Sequence, residues 1–354
     1  MRYQSLSIEN FRGIINLEIT DMKRVNLLVG RNNCGKTSVL EAVFLLSGMS
    51  NPQLPINIHN FRDLVLASDE DFSYMFRNLD FSVPISIMGN IDNCKRNLSI
   101  TPLYVDYSPQ QSKKSKQKEI INQQENITVS TSFARLVEGI NLVFKNHQNQ
   151  KFQGQISLKE SKMLVADNYK EDLKCSYLNP KTIMVQIDKR MEGLLIQKKL
   201  DTVISVLKNI EPKVMDIRMG ANGMIYVDVG ANNLLPLNIM GDGMRLILAM
   251  MAAIADMKNG VLLVDEIENG LHYTSLSVMW KAIFAACKEY NVQLIATTHS
   301  YECIEAFSNV YDKIESEGDT IRLYRIDKEE EKHKAFIYAP QVLKVGIEKE
   351  FEVR

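Results

Sequence analysis

The chain has 354 residues, 45% of them apolar and 24% charged, with 42 basic against 43 acidic side chains and a formal net charge of -1. That length buries a core large enough for one large domain or two lobes, and the even balance supplies no global basic field, though a local basic patch stays open. The five cysteines form no Cys-x-x-Cys pair, which argues against a disulfide frame or zinc site. The start carries no signal-peptide core, and the longest apolar run, 246–255, is too short for a membrane span, so the expectation is a soluble cytoplasmic protein.

In chain order, residues 3–11 alternate like a half-buried strand, with 14–19 as a hairpin partner across Arg12-Gly13. Residues 25–29 are apolar apart from Asn26, as in a strand covered on both faces. A glycine loop follows at once, then a helix-like stretch, 38–46, closing at Gly48. Strand-like stretches at 81–87, 98–105 and 127–133 suggest a β-rich lobe inserted after this helix. Between them lies a polar segment, 108–126, rich in lysine and glutamine and read as a mobile loop. Residues 189–210 have helical periodicity, and 214–229 read as a hairpin turning at Gly220-Ala221-Asn222-Gly223. Then come a helix (244–257), a strand (261–264), a helix (274–290), a strand (292–296) and a helix near 301–307, with edge strands at 321–326 and 335–337. This alternation predicts an α/β class with a parallel sheet flanked by helices. The expected division is a core formed by 1–50 and 234–354, interrupted by β-rich and helical lobes over 51–233.

Three segments carry chemistry. Gly30-Arg31-Asn32-Asn33-Cys34-Gly35-Lys36-Thr37 fits the phosphate-binding pattern G-x-x-x-x-G-K-[ST], and it stands between a strand and a helix as that pattern requires. Backbone N–H groups of the loop and the helix start, through Ser38, would face phosphate oxygens. Lys36 would reach the β- and γ-phosphates, and Thr37 would ligate Mg²⁺. The second segment is the apolar strand Val261-Leu262-Leu263-Val264, which ends in Asp265-Glu266. Asp265 would hold Mg²⁺ from the outer coordination sphere, and Glu266 would orient or deprotonate the attacking water. The third, Val292 through Thr298, ends in His299 and Ser300. Strand ends gather at one edge of an open α/β sheet, so His299 should meet Lys36 and Glu266 as a γ-phosphate contact.

This order of motifs resembles ABC-type ATPases. The opening Ile8-Glu9-Asn10-Phe11-Arg12-Gly13, together with Asn26-Leu27-Leu28-Val29-Gly30 and Lys36-Thr37-Ser38-Val39-Leu40-Glu41-Ala42, is similar to the RecF/SMC/OLD branch. The likeness covers residues 1–48 and 234–308 and hardly touches the middle. The 229 positions separating Lys36 from Asp265 leave room for an inserted lobe, unlike the shorter gap of AAA+ proteins or transporter ATPases.

The resemblance implies ATP rather than GTP, with Mg²⁺. It implies a signature loop at Met240-Gly241-Asp242-Gly243-Met244-Arg245, touching the γ-phosphate bound by a partner subunit; Gly241 or Met240 replaces the usual serine. Asn269-Gly270-Leu271-His272 takes the place of the family's D-loop, with His272 where aspartate is usual. Arg12 stands where the family's arginine approaches the nucleotide, a solvated hairpin arginine being the alternative. A signature loop acting across subunits implies an ATP-sandwich homodimer or a higher oligomer. An OLD-like reading implies an ATPase that controls a nuclease in anti-phage defence or DNA maintenance. The chain stops at Arg354 with too little left for a Toprim nuclease domain, so that nuclease would be separately encoded. A stand-alone RecF-like repair clamp on double-stranded DNA is the alternative. For it Lys113, Lys114, Lys116 and Lys118 are candidate contacts or simply a solvated loop. A membrane transport subunit fits the spacing poorly.

Overall fold

The computed structural model describes residues 2–106, 135–146, 148–165, 169–208, 211–313 and 318–349. The polar segment 108–126, the strand-like 127–133 and the four clustered lysines lie outside the described residues.

Strand β1 (Tyr3–Phe11) turns at Arg12-Gly13 into β2 (Ile14–Ile19), with Phe11 opposite Ile14. Alternation sends Leu6 and Ile8 into the core, and a register shift after Tyr3 and the left-handed Asn10 before Phe11 bury those two as well. β3 (Val25–Val29) is buried at every position and feeds α1 (Lys36–Ser47), which precedes the short α2 (Leu54–Asn60). Next come β4 (Ile85–Ile91), β5 (Cys94–Asp106), β6 (Arg135–Lys145), β7 (Lys151–Ser157) and β8 (Lys162–Leu164). These strands share one antiparallel sheet with the opening hairpin, in the order β2-β1-β4-β5-β6-β7-β8.

The second sheet gathers strands from both ends of the chain. β9 (Cys175–Leu178) is followed by α3 (Ile187–Ile196), α4 (Leu200–Leu207) and a small sheet of β10 (Asp216–Met219), β11 (Ile225–Asp228) and β12 (Leu235–Pro236). Then come α5 (Asp242–Asp256), β13 (Val261–Val264), α6 (Tyr273–Glu289), β14 (Gln293–Thr297) and α7 (Tyr301–Lys313). β15 (Ile321–Glu329), β16 (Lys332–Tyr338) and α8 (Pro340–Glu348) finish the described chain. The order is β16-β15-β3-β14-β13-β9, parallel throughout except for β16.

Several details differ from the sequence expectation: the strand expected at 81–87 is β4, which begins only at Ile85, and β9 pairs with β13 where no strand was expected. β15 is not an edge strand but lies between β3 and β16. Its run of Ile321, Leu323, Tyr324 and Ile326 is buried, and the interruption, Arg322, is held by Asp21 and Asp319. The helical stretch 189–210 is two helices, broken where Lys198 takes a left-handed φ of 55°.

α1 lies between the two sheets and is buried on nearly every side, which explains why its sequence shows no polar face. The other face of the core sheet is covered by α5, α6 and α7. Trp280 packs against Phe307 at 4.8 Å there and donates Nε1–H to the Cys303 carbonyl at 3.0 Å. This layering brings the carboxyl ends of β3, β14, β13 and β9 to one edge, where loops from distant parts of the sequence meet.

Candidate active site

The loop between β3 and α1 wraps because its glycines adopt conformations that other residues resist: φ is 138° at Gly30 and 96° at Gly35. A side chain at Gly30 would also strike the Ile326 carbonyl of β15, 2.3 Å from a Cβ placed there. Lys36 is only 5% exposed. Its Nζ donates to the Gly30 and Arg31 carbonyls at 2.8 and 3.0 Å and lies 3.8 Å from the Cys34 sulfur. Burial lowers the Lys36 pKa from its ordinary value.

At the end of β13, the Asp265 carboxylate collects three hydroxyl donors from three elements. Thr37 of α1 reaches Oδ2 at 3.0 Å, Tyr177 of β9 reaches it at 3.1 Å, and Thr297 of β14 reaches Oδ1 at 2.6 Å. Thr297 also accepts the Glu266 amide at 2.8 Å. Glu266 itself is exposed and left-handed, with φ of 52°, a strained choice for a non-glycine residue of the kind that gathers at functional sites. Asn269 Nδ2 approaches its Oε2 at 3.3 Å. His299 is exposed beyond β14, its amide donating to Glu268 Oε1 at 2.8 Å.

Lys36, Thr37, Ser38, Glu266 and His299 line one cavity of about 450 Å³ with Asn32, Asn33, Cys34, Gly35 and Arg62. Arg31 lies on the other flank of the loop, in a cavity of about 470 Å³ shared with Arg325, Asp327 and Lys328. The convergent oxygens of Thr37 and Asp265 are hard donors that suit Mg²⁺, an ion usually held by one or two protein groups together with phosphate oxygens. Among the described residues no group of three or more His, Cys, Asp or Glu side chains could hold a metal ion without such help.

Arg12 and Arg62 embrace the fully buried Glu41 of α1, each with Nε 2.6 Å from a carboxylate oxygen. Arg12 stays in this pairing and does not line the 450 Å³ cavity, whereas Arg62 does, with Nη2 3.5 Å from the Ser38 hydroxyl. The sequence reading missed Arg62. The available signal was Glu41, a carboxylate on an otherwise apolar helix, which must find a cationic partner when buried. Tyr177 and Glu268 were missed as well, neither belonging to a recognisable pattern.

Gly241 caps the start of α5, and Asp242 is exposed, pairing with Arg245 at 2.9 Å. Gly243 lies near Leu271 and Ser275. Asp242 lines a separate cavity of about 170 Å³ with Asp265, Glu266, Asn269 and Gly270. The glycine turn is therefore not brought to the P-loop cavity of its own chain. His272 caps α6, and its Nδ1 meets the Thr274 hydroxyl at 2.9 Å.

A P-loop, an acidic strand end and a strand-end histidine on a parallel core, backed by an antiparallel sheet, define an ABC-type ATPase of the RecF/SMC-like class. More narrowly, a family model described as "AAA domain, putative AbiEii toxin, Type IV TA system" matches residues 25–305, and the chain belongs to that family. A Helicobacter pylori protein named "ATP/GTP phosphatase" is 25% identical over 337 residues, 87% of this chain and 88% of that protein. "DNA replication and repair protein RecF" of Idiomarina loihiensis is 28% identical over 85 residues, 24% of this chain and 23% of that one. Among solved structures, a Pyrococcus furiosus Smc head domain with an extended coiled coil, bound to the C-terminal domain of ScpA, superposes with a TM-score of 0.51. It is 11% identical, with 98% of each chain covered, a likeness of fold alone. No helix among the described residues is long and apolar enough to cross a membrane.

Proposed function

We propose that this protein hydrolyses ATP in the 450 Å³ cavity. The observation that carries this reading is the convergence of Lys36, Thr37, Glu266 and His299 there, with Asp265 held behind Thr37. Lys36 and the loop amides would bind the phosphates, and Thr37 and Asp265 would hold Mg²⁺, which would neutralise phosphate charge. Glu266 takes a proton from the attacking water as its oxygen bonds to the γ-phosphorus, and the bond to the ADP oxygen breaks. His299 contacts the γ-phosphate. Arg62 adds a cation from the same chain. The name of the Helicobacter relative supports hydrolysis and makes GTP the nucleotide to compare.

The Gly241–Gly243 turn does not line the cavity of its own P-loop, which supports a sandwich in which it reaches the nucleotide of a second copy. Hydrolysis would open this pair and so control an effector, a separately encoded nuclease in defence or DNA maintenance. The segmental likeness to RecF supports a second reading, direct action on DNA.

The test is ATP and GTP hydrolysis by wild type and Glu266→Gln, with light scattering and with or without double-stranded DNA. Turnover by wild type, with an ATP-trapped dimer of the variant, is the expected result. Wild type that neither turns over nor dimerises would sink the reading, and stimulation by DNA would favour the RecF-like alternative.

A further inference from the structure

Tyr177 stands on β9, one strand beyond the acidic strand end, and is 6% exposed. Parallel pairing sets it opposite Leu263 and ties the next step of the chain tightly, since the Asp265 amide donates to the Leu178 carbonyl at 2.8 Å. Its hydroxyl donates to Asp265 Oδ2 at 3.1 Å, the oxygen that Thr37 also approaches. Its ring stacks on Phe61, with centroids 4.7 Å apart and planes within 6°. Phe44 of α1 completes the cluster, 5.6 Å from Phe61 and 6.0 Å from Tyr177. Phe61 is the residue immediately before Arg62, and α2 ends there.

We propose that Tyr177 is a positioning residue serving both sides of the nucleotide cavity: its hydroxyl orients the Asp265 carboxylate, and its ring, through Phe61, fixes the backbone that delivers Arg62. The assignment rests on the ATPase reading above and deepens it. The geometry explains why one aromatic side chain suits both tasks. A half-buried carboxylate with two acceptor oxygens keeps one orientation best when donors occupy both, and Thr297 supplies the other. The phenolic hydroxyl donates here to a carboxylate oxygen, which can only accept. Arg62, in turn, is anchored at its Nε by Glu41, but its path from α2 is set by the residue before it. A stacked pair between two apolar faces fixes that path without a polar competitor for Glu41.

The two tasks separate by substitution. Tyr177→Phe keeps the stack and removes the hydroxyl, and Tyr177→Leu removes both. Binding of a fluorescent ATP analogue is titrated in EDTA and against rising Mg²⁺, for wild type, both variants, Arg62→Ala and the two double variants, with Tm followed throughout. Tyr177→Phe should keep the EDTA affinity and need about tenfold more Mg²⁺ for the Mg²⁺-dependent tightening, the scale of one hydrogen bond to a charged group. Tyr177→Leu should add the loss of EDTA affinity shown by Arg62→Ala. In the Arg62→Ala background that extra loss should vanish, as expected for residues acting through one another.

Unchanged Mg²⁺ dependence in Tyr177→Phe overturns the first task. Multiplying losses for Tyr177→Leu and Arg62→Ala overturn the second. If Tyr177→Leu does not fold, Phe61→Leu replaces it and tests the same delivery of Arg62. Wild type that fails to bind the analogue at all removes the nucleotide reading together with this assignment, whereas binding by wild type with an unaltered Tyr177→Phe removes the assignment alone.

Discussion

The two flanks of the acidic strand end are built differently. On the P-loop side, Lys36 is enclosed, Asp265 is gripped by three hydroxyls and Glu41 is clasped by two guanidinium groups. On the α5 side, Asp242 is exposed and held by Arg245, and a Cβ added at Gly241 would meet nothing within 4 Å. The first region is preorganised by the fold, because buried polar groups must find partners inside the chain. The second is a helix start offered outward. If the sandwich proposal is right, the first flank governs nucleotide binding by one chain, and the second matters only when two chains meet.

The largest expected effects fall on the enclosed side. Lys36→Ala should weaken ATP binding and lower turnover by about a thousandfold, the scale of losing a preorganised cation from phosphoryl transfer. Glu266→Gln should lower turnover comparably while leaving binding intact, since this side chain is exposed and its task is the water. Steady-state kinetics with a parallel binding titration separates the two, and equal binding losses in both would break the division of labour.

Next in size is a backbone effect. Gly30→Ala places a methyl group against the Ile326 carbonyl at a φ that alanine resists, so about 2–3 kcal/mol of stability should be lost. Thermal unfolding would show this as a Tm lower by several degrees. An unchanged Tm would mean that the loop and β15 separate freely, and the enclosed side would be less rigid than its hydrogen bonds suggest.

On the open side, a Cβ at Gly241 meets nothing within 4 Å and the position is exposed, so Gly241→Arg should leave Tm and single-chain ATP binding unchanged. Turnover should still fall about tenfold or more if the turn contacts the nucleotide of a second copy, with loss of the ATP-dependent mass increase in light scattering. Turnover at wild-type level would turn the contrast between the flanks into a mere difference in burial.

The same contrast marks what could be read from the sequence. The P-loop was legible because its glycines, lysine and threonine fall within eight residues, and β13 and β14 because strands covered on both faces are mainly apolar. β9 was not, since four residues give too short a pattern, and their value lies in pairing with a strand far along the chain. Tyr177 and Arg62 act only through that pairing and through the close of α2, so no local spacing reports them. Arg12 was legible as a hairpin arginine, but its partner Glu41 becomes evident only once α1 is packed between the sheets. The burial of Arg322 in β15 is equally hidden, since one of its two acidic partners, Asp21, lies about three hundred positions away.

The smallest expected effect is one of pH, again on the enclosed side. His59 of α2 is fully buried, its Nδ1 2.6 Å from the Pro55 carbonyl and its ring against Phe72 and Tyr74. Burial, reinforced by the nearby charges of Arg12 and Arg62 and opposed by Pro55 and Asp71, pushes its pKa down to about 4. Between that value and the ordinary 6.5, the unfolded chain binds a proton that the native chain refuses, so stability rises with pH across this window and is lost as pH falls through it. The contribution is at most about 3 kcal/mol. His59→Phe keeps an aromatic ring in place and removes the titration. It should start from a lower Tm at pH 7, having lost the bond to Pro55, and then decline less steeply than wild type between pH 6.5 and pH 4. Parallel Tm curves would place the acid sensitivity elsewhere. A shallower curve would place it beside Arg12, Arg62 and Glu41, making the enclosed flank the first part of the site that acid disturbs.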